Sequence, residues 1–145
     1  VLKVDPTGER EAAYKNELKA YETNGKELQG TVLPIFYGCY RAQVGSRMVT
    51  CLATEYCGEP MTEPLYAVDN PFLGKVMLYM TALHQQGLTH GDLYERNILV
   101  LDGHPVLIDL ESAADHKCGV RMQTVPGAMM PTAEEYGCTE LHDLV

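Results

Sequence analysis

The sequence predicts an α+β fold made of short strands and a few amphipathic helices. Two stretches repeat apolar residues at intervals of three and four, as helices do when they pack on one side. Short apolar runs bounded by glycine, proline and polar residues indicate strands. With 145 residues, 46% of them apolar, the chain has enough material for one compact core, as a domain or as a fragment of a larger one.

The first predicted elements are a strand and a helix. Residues 1–4 form an apolar run that Asp5 and Pro6 interrupt, which indicates a strand ending there. Asp5 or Thr7 is suited to cap a helix at about residues 9–22, a segment rich in glutamate, alanine, lysine and leucine. Spacings of four and three give this helix one apolar stripe, formed by Tyr14, Leu18 and Tyr21.

Glu17 lies beside that stripe, and the pattern leaves two environments open for it. It either faces inward, toward Lys3 on the preceding strand, or is one of several solvated charges along the helix. An inward glutamate would need a cation as its partner, which Lys3 could supply.

Two further strands and a linker complete the first half of the chain. The strands are expected at about residues 35–42 and 48–55, joined by a turn at Gly45 and Ser46. The linker that follows, around residues 54–60, contains glycine and proline, which mark a seam between two halves.

A second helix is predicted at about residues 71–86, with Pro71 at its start and Gly87 as its stop. Its methionines recur with the apolar period, so we expect them to pack in the core rather than bind a metal.

The most informative stretch is a polar loop followed by a hairpin, residues 88–112. Asp102 and Gly103 favour a tight turn between two short apolar strands. The hairpin brings Asp109 back beside the loop that carries Asp92 and Asn97. Two carboxylates and an amide offer hard oxygen ligands suited to Mg²⁺, with one acid left for proton transfer.

The chain then becomes irregular around residues 118–130, which show no period. A last helix is expected at about residues 132–144. Thr132 and Glu135 have the spacing of a capping box at its start.

The net charge of −9 argues against nucleic acid or an anionic membrane as the main partner. An ATP site is compatible with it, since local cations can neutralise the phosphates. No apolar run is long enough to span a bilayer. The chain opens in an apolar strand without methionine and so looks truncated, and the absence of a leader proves little.

Five cysteines, an odd number without a CxxC pair, favour free thiols over a disulfide framework or a zinc site. Free thiols indicate a reducing compartment, so the protein is expected in the cytoplasm or the nucleus. The five are Cys39, Cys51, Cys57, Cys118 and Cys138.

Several of these segments together resemble the protein-kinase-like fold. His90-Gly91-Asp92, with Asn97 five residues after the aspartate, resembles its catalytic loop, and Asp109-Leu110-Glu111 resembles its metal-binding segment. Val1-Leu2-Lys3 is similar to its lysine strand, and Asn16-Glu17-Leu18 stands where its helix glutamate lies. Stretches such as NELKAY and EYGCTEL most resemble fungal kinase-like proteins of uncharacterised function, and the loop also resembles that of aminoglycoside and choline kinases.

The resemblance implies a truncated two-lobed fold. Residues 1–57 would form a partial smaller lobe, an antiparallel sheet plus a helix, and the hinge. Residues 58–145 would form a reduced helical larger lobe. No glycine-rich phosphate loop precedes Lys3 in the sequence, so either the first strands are missing or the nucleotide has no lid.

The resemblance also implies a role for each matching residue. Lys3 would contact the ATP phosphates and Glu17 would hold Lys3, while Asp92 would accept the proton of the acceptor hydroxyl. Asn97 and Asp109 would bind Mg²⁺. Arg96 would either place positive charge near the transferred phosphate or form a surface ion pair. The adenine would lie at the hinge, against Glu55, Cys57 and Leu99.

The implied activity is transfer of the γ-phosphate of ATP to a hydroxyl, on protein Ser/Thr or on a small molecule. The alternative is a pseudokinase, a nucleotide-binding or scaffolding module without turnover. Two departures bear on this choice. Gly91 replaces an arginine, and Glu111 replaces a glycine, so that an extra carboxylate faces the metal, repels charge or faces solvent.

Overall fold

A computed structural model of the chain describes residues 1–121 and 129–144 and has an α+β architecture. The strands are β1 (Leu2–Asp5), β2 (Phe36–Val44), β3 (Arg47–Thr54), β4 (Glu59–Pro60), β5 (Leu88–Thr89), β6 (Ile98–Leu101), β7 (His104–Leu107) and β8 (Ala114–Asp115). The α-helices are α1 (Glu11–Glu22), α2 (Asn70–Gln85), α3 (Ala133–Tyr136) and α4 (Thr139–His142). Single 3-10 turns cover Lys26–Leu28, Leu65–Ala67, Glu95–Asn97 and Leu110–Ser112.

The first sheet is antiparallel, with the order β1-β3-β2. The predicted hairpin is confirmed, since β2 and β3 meet through the turn at Gly45 and Ser46. β1 lies at the edge, with Lys3 opposite Leu52 of the central strand. Helix α1 packs against the turn Leu110–Ser112, and this places the first sheet and α1 over the end of the hairpin.

Helix α1 begins two residues later than predicted, because Asp5 organises the turn before it. The buried Asp5 carboxylate accepts hydrogen bonds from the backbone N–H groups of Thr7, Gly8 and Arg10. These amides are therefore satisfied outside the helix. The helix itself has no side-chain cap at Arg10.

A second small sheet has the order β4-β6-β7 and contains the predicted hairpin. Asp102 and Gly103 adopt φ values of 51° and 74°, the left-handed region that a two-residue hairpin turn requires. β5 and β8 form a separate antiparallel pair, which ties the residues just before His90 to the residues after the hairpin.

Helix α2 confirms the second predicted helix and crosses the centre of the core. Asp69 caps it by accepting a hydrogen bond from the backbone N–H of Phe72, and Gly87 follows it at φ 83°. The core joins α1, α2 and the hairpin, with Tyr21 stacked on Phe36 at 5.1 Å between ring centroids. No helix in the two described ranges combines the length and apolar character that crossing a bilayer would need.

The carboxyl-terminal helix predicted at residues 132–144 is wrong as a single element. The capping box of Thr132 and Glu135 forms as predicted, but Gly137 at φ 90° ends α3 after one turn, and α4 starts anew. In the irregular stretch predicted before it, residues 122–128 lie outside the described residues.

Candidate active site

The candidate active site centres on the ammonium group of Lys3, which three carboxylates surround. Its Nζ lies 2.7 Å from Glu17 Oε2, 2.9 Å from Asp109 Oδ1 and 2.7 Å from Glu111 Oε1. Three separate parts of the chain thus supply the partners: α1, the end of the hairpin and the turn after it. The ammonium group of Lys3 thus has three carboxylate partners, which leaves an excess of negative charge around it.

Glu17 faces inward, which decides between the two environments that the sequence left open. Its residue surface is only 4% exposed. One carboxylate oxygen binds Lys3, and the other is 3.4 Å from the backbone N–H of Leu110, which donates to it. Glu17 is therefore a buried, paired carboxylate that holds Lys3, and not a solvent-exposed charge on the helix surface.

Asp109 occupies an unusual backbone conformation, with φ 66° and ψ 73°. Few residues other than glycine adopt this left-handed region, and aspartate and asparagine tolerate it best. It directly follows the hairpin and turns the chain into the segment that packs on α1. Backbone strain at one residue of a charged cluster is a frequent mark of a functional site.

Glu111 is not a solvated charge. Its side chain is 11% exposed and pairs with both Lys3 and Arg10. The Asn16 amide of α1 holds the same turn by donating to the backbone carbonyls of Glu111 and Ala113, at 2.8 and 2.7 Å. The extra carboxylate is therefore a built-in partner of the lysine.

The pKa values follow from this crowding. Burial by itself would lower the pKa of Lys3, but the charge of Glu17 and the hydrogen bonds to Glu111, Glu17 and Asp109 raise it above its ordinary value. Burial raises the pKa of Glu17, with Lys3 acting in the opposite direction. Burial also opposes ionisation of Asp109, yet the Lys3 ammonium holds the pKa of that carboxyl below its usual range.

The loop carrying Asp92 lies next to this cluster and is closed by Asn97. The Asn97 amide nitrogen donates to the backbone carbonyl of Asp92 at 2.8 Å and to its Oδ2 at 3.0 Å. Arg96 is exposed, pairs with Asp92 Oδ2 at 2.8 Å and lies 4.5 Å from the Tyr94 ring centroid. The contact observed for Arg96 is thus a surface ion pair, one of the two alternatives predicted for it.

His90 joins this loop to the segment that carries Asp109. The side chain is fully buried, and its Nε2 donates to the backbone carbonyl of Ile108 at 3.0 Å, while Ile108 N–H donates to the Asn97 carbonyl at 3.0 Å. Burial lowers the pKa of His90, so the neutral ring is favoured. Asp92 and Asn97 are in this way fixed beside the residue that precedes Asp109.

Gly91 has a physical reason to be glycine. It adopts φ 79°, and a Cβ atom there would lie 2.2 Å from the carbonyl oxygen of Ser112. Any side chain at this position, arginine included, would push the loop that carries Asp92 away from the turn Leu110–Ser112.

The predicted hinge residues lie along one path from β3 to β4. Glu55 N–H donates to the Ile35 carbonyl at 2.8 Å, and Cys57 is buried, which raises the pKa of its thiol to about 11. β4 then pairs with β6, with Pro60 opposite Leu99, so that Leu99 and Cys57 lie on neighbouring segments.

A surface groove of about 480 Å³ lies between β4 and the start of α2. This groove shares no residue with the Lys3 cluster. The candidate active site is therefore identified by its charged residues and not by this groove. The groove residues are Glu59, Pro60, Met61, Thr62, Glu63, Val68, Asp69, Phe72 and Val100.

Two members of the site had no sequence signal of their own. Arg10 pairs with Glu111 across the fold. Glu140 of α4 accepts hydrogen bonds from the backbone N–H groups of His90, at 3.0 Å, and Gly91, at 2.6 Å. Glu140 lies about 50 residues after the loop in the sequence. Its only sequence signal is that it is an acidic residue in the last predicted helix, and this does not indicate a contact with the loop.

Comparison with known proteins supports a kinase-like segment. Residues 58–120 match the sequence model of the RIO domain. A stretch of 48 residues is 54% identical to the RIO-type serine/threonine-protein kinase Rio1 of Haloferax volcanii, covering 32% of this chain and 17% of that kinase. The RIO match includes Asp92, Asn97 and Asp109 and excludes Lys3 and Glu17. The likeness to fungal proteins and to aminoglycoside and choline kinases stays a prediction.

Proposed function

We propose that the chain is an ATP- and magnesium-dependent phosphotransferase that moves the γ-phosphate to a hydroxyl group. The observation that carries the proposal is the contact of Lys3 with both Glu17 and Asp109, at 2.7 and 2.9 Å. Lys3 and Glu17 lie outside the RIO match, yet Lys3 contacts both Glu17 and the matched Asp109, an arrangement that suits phosphate binding.

The residues fit Mg²⁺ by their chemistry. Because the side-chain nitrogen of Asn97 donates to Asp92, its side-chain oxygen Oδ1 is left for another partner, and no donor within the described part of the chain bonds to that oxygen. We propose that Asn97 and Asp109 hold the ion as hard oxygen ligands. When bound, Mg²⁺ would supply positive charge to the β- and γ-phosphates.

The Lys3 ammonium group donates hydrogen bonds to Glu17 and Asp109, and Glu111 Oε1 lies 2.7 Å away as a third anionic partner. A phosphate oxygen can bind Lys3 only if one of these contacts is exchanged. Glu17 is fixed on both oxygens, so it keeps the lysine in place, and Asp109 or Glu111 is the partner that yields.

Asp92 is proposed to orient the acceptor hydroxyl and accept its proton. Its side chain is 32% exposed, so an acceptor can reach it, while Asn97 fixes one carboxylate oxygen. Arg96 would turn from Asp92 toward the transferred phosphate. Glu55, Cys57 and Leu99 would receive the adenine, with the seam between lobes at residues 57 and 58.

The acceptor is proposed to be a protein Ser/Thr hydroxyl, because the RIO-type relative is named as a serine/threonine-protein kinase. A small-molecule hydroxyl is the other possibility. Neither nucleic acid nor a membrane is expected as a partner at net charge −9, and we expect the protein in the cytoplasm or nucleus.

One observation favours a pseudokinase as the second candidate. Glu111 adds a third carboxylate to Lys3 and is itself held by Arg10. A lysine saturated in this way binds phosphate weakly, and such a chain would keep its fold without turnover.

Nucleotide binding is tested by thermal unfolding with ATP, in the presence and absence of Mg²⁺. We expect a magnesium-dependent rise in Tm that Asp109→Asn abolishes, since asparagine tolerates the left-handed backbone while removing the charge. Asp102→Asn is the matched control, because Asp102 also has positive φ but lies in the distant hairpin turn. The absence of any shift in the unaltered protein would refute the nucleotide site.

Turnover is tested by transfer of labelled γ-phosphate to the protein itself and to a mixed Ser/Thr peptide library. We expect Asp92→Asn to reduce transfer at least about a hundredfold while leaving the ATP shift in place. Equal transfer by the variant would refute Asp92 as the base. Binding without transfer in the unaltered protein would establish the pseudokinase.

A further inference from the structure

We propose that His84, His116, Cys118 and Cys138 form a zinc site, separate from the active site. One ligand atom from each of the four residues lies within 4.8 Å of the other three. Two imidazoles and two thiols are the donor set of structural zinc sites, whereas the Lys3 cluster offers only oxygen.

The distances agree with a tetrahedral zinc ion. Cys138 Sγ is 3.5 Å from His84 Nδ1 and 3.7 Å from His116 Nε2. Bond lengths of about 2.3 Å to sulfur and about 2.0–2.1 Å to nitrogen, at tetrahedral angles, separate the two ligand atoms by about 3.6 Å. The cluster therefore needs little movement to close around the ion.

The backbone brings the four residues together independently of any ion. His84 lies in the last turn of α2, and His116 N–H donates to the Gly87 carbonyl at 2.8 Å. Gly119 and Gly137 approach so closely that a Cβ on Gly137 would lie 2.1 Å from the Gly119 carbonyl oxygen, which places Cys118 beside Cys138. A preformed cluster binds metal without a large ordering cost.

Glu140 supplies the outer partner that metal-binding histidines usually have. His84 Nε2 lies 2.5 Å from Glu140 Oε2, which assigns the proton to Nε2 and leaves Nδ1 to face Cys138. The same carboxylate binds the N–H groups of His90 and Gly91. A zinc ion bound to His84 would thus help to fix the loop at His90 and Gly91, because Glu140 contacts both His84 and the backbone of that loop.

Two metal-free arrangements compete with this proposal. The four side chains could remain as hydrogen-bonded thiols and imidazoles, or Cys118 and Cys138 could oxidise to a disulfide. All five cysteines are free thiols in the structure, in keeping with the sequence argument. The absence of a CxxC pair in the sequence disfavours zinc, but the fold builds the site from three segments that are distant in sequence.

The test is the metal content and the cobalt spectrum of the whole chain. We expect the protein, purified without added chelator, to contain about one zinc ion per chain, measured by inductively coupled plasma mass spectrometry. Replacement by Co²⁺ should give the intense visible bands of a tetrahedral ion and a thiolate charge-transfer band. Reduced protein without zinc and without these bands, or a Cys118–Cys138 disulfide in the purified protein, would overturn the proposal.

The Cys138→Ser and His116→Ala variants should lose the zinc and the cobalt spectrum. The Cys39→Ser variant should keep both, because Cys39 lies on β2 and is not part of the cluster. His116→Ala leaves the buried thiol in place and serves as the second variant if Cys138→Ser does not fold. Equal zinc in the His116→Ala and unaltered proteins, or loss of zinc in Cys39→Ser, contradicts the assignment. Neither readout depends on ATP, so failure of the proposed function leaves this test intact.

Discussion

At the scale of single residues, the balance of charge around Lys3 governs what the site can bind. Glu17 is buried and held at both oxygens, while Glu111 binds Lys3 with one oxygen and Arg10 with the other. An incoming triphosphate carries negative charge into this cluster. If the chain binds ATP as proposed, the carboxylate of Glu111 competes with the nucleotide for the same ammonium group.

Removing that competing charge should strengthen nucleotide binding. We expect Glu111→Gln to lower the Kd for Mg-ATP about three- to tenfold, which corresponds to roughly 0.7–1.4 kcal/mol, measured by isothermal titration calorimetry. Glutamine keeps the size and one acceptor oxygen, so the turn against α1 should persist.

Glu11→Gln is the matched control, since Glu11 is an exposed glutamate of α1 that pairs with Lys15 at 2.9 Å. It changes the net charge equally but lies on the solvent side of the helix, and we expect no change in Kd beyond about twofold. Weaker binding by Glu111→Gln would show that Glu111 positions Lys3 instead of competing for it.

The contacts of the Lys3 cluster were only partly predictable from the sequence. Glu17 was predicted to hold Lys3 through a family resemblance, and the structure pairs them at 2.7 Å; the contact of Lys3 with Asp109, at 2.9 Å, was not predicted. The environment of Glu111 could not be predicted, because its partner Arg10 is distant in sequence and a charge at a turn is usually solvated.

At the scale of elements, the loop that carries Asp92 and the turn Leu110–Ser112 are joined by a close backbone approach. Gly91 lies so near the Ser112 carbonyl that no Cβ atom fits. On the opposite side, the Asn16 amide fixes the same turn to α1. The spacing between loop and turn therefore depends on glycine at position 91.

Gly91→Ala should be far more destabilising than Gly103→Ala. Both glycines have φ between 70° and 80°, but an added Cβ meets nothing within 4 Å at Gly103 and lies 2.2 Å from a carbonyl oxygen at Gly91. We expect Gly103→Ala to reduce the free energy of unfolding by about 1 kcal/mol and Gly91→Ala by at least about 2 kcal/mol more.

Urea unfolding followed by circular dichroism measures both variants. Equal losses would show that backbone strain alone decides the effect and that the loop can move away from Ser112 without cost.

Most elements were predictable, and the errors have local causes. The Asp102-Gly103 hairpin and the helix before Gly87 carry their own turn and stop signals, so their positions were correct. The break at Gly137 was missed because a capping box at Thr132 predicts where a helix starts but not how long it runs.

At the scale of the whole molecule, buried titratable groups couple stability to pH. His90 is packed between the hairpin and α4, facing Glu140 with Asp109 and Asp92 nearby. Burial outweighs these three carboxylates and lowers the pKa of His90 below the ordinary 6.5. The unfolded chain therefore binds a proton at this histidine more readily than the folded chain does.

Stability from this group is fully present above pH about 6.5 and is lost as the pH falls through the lowered pKa. In that interval the free energy of unfolding should drop by up to about 1.4 kcal/mol per pH unit for one proton. We expect His90→Gln to flatten this fall in Tm between pH 7 and pH 5, measured by differential scanning fluorimetry.

His104→Gln is the control, because His104 is an exposed histidine on β7 and should leave the slope unchanged. An unaltered slope in His90→Gln would mean that other groups carry the acid sensitivity.

The long-range contacts of the whole molecule were the least predictable feature. Glu140 reaches the catalytic loop from α4, and His84 meets Cys138 across the core. Single residues without a motif give no signal for such pairs, since hydrophobic periodicity predicts which face is buried but not which polar group lies there.

The edge position of β1 has a consequence for local motion. Within the described strands, β1 pairs only with β3, so one side of its backbone has no ladder partner. Lys3 on this strand is held by its backbone pairing opposite Leu52 and by the contacts of its ammonium group. Loss of the contacts with the three carboxylates would remove a side-chain anchor from this edge strand, so we expect β1 to fray more readily when they are released.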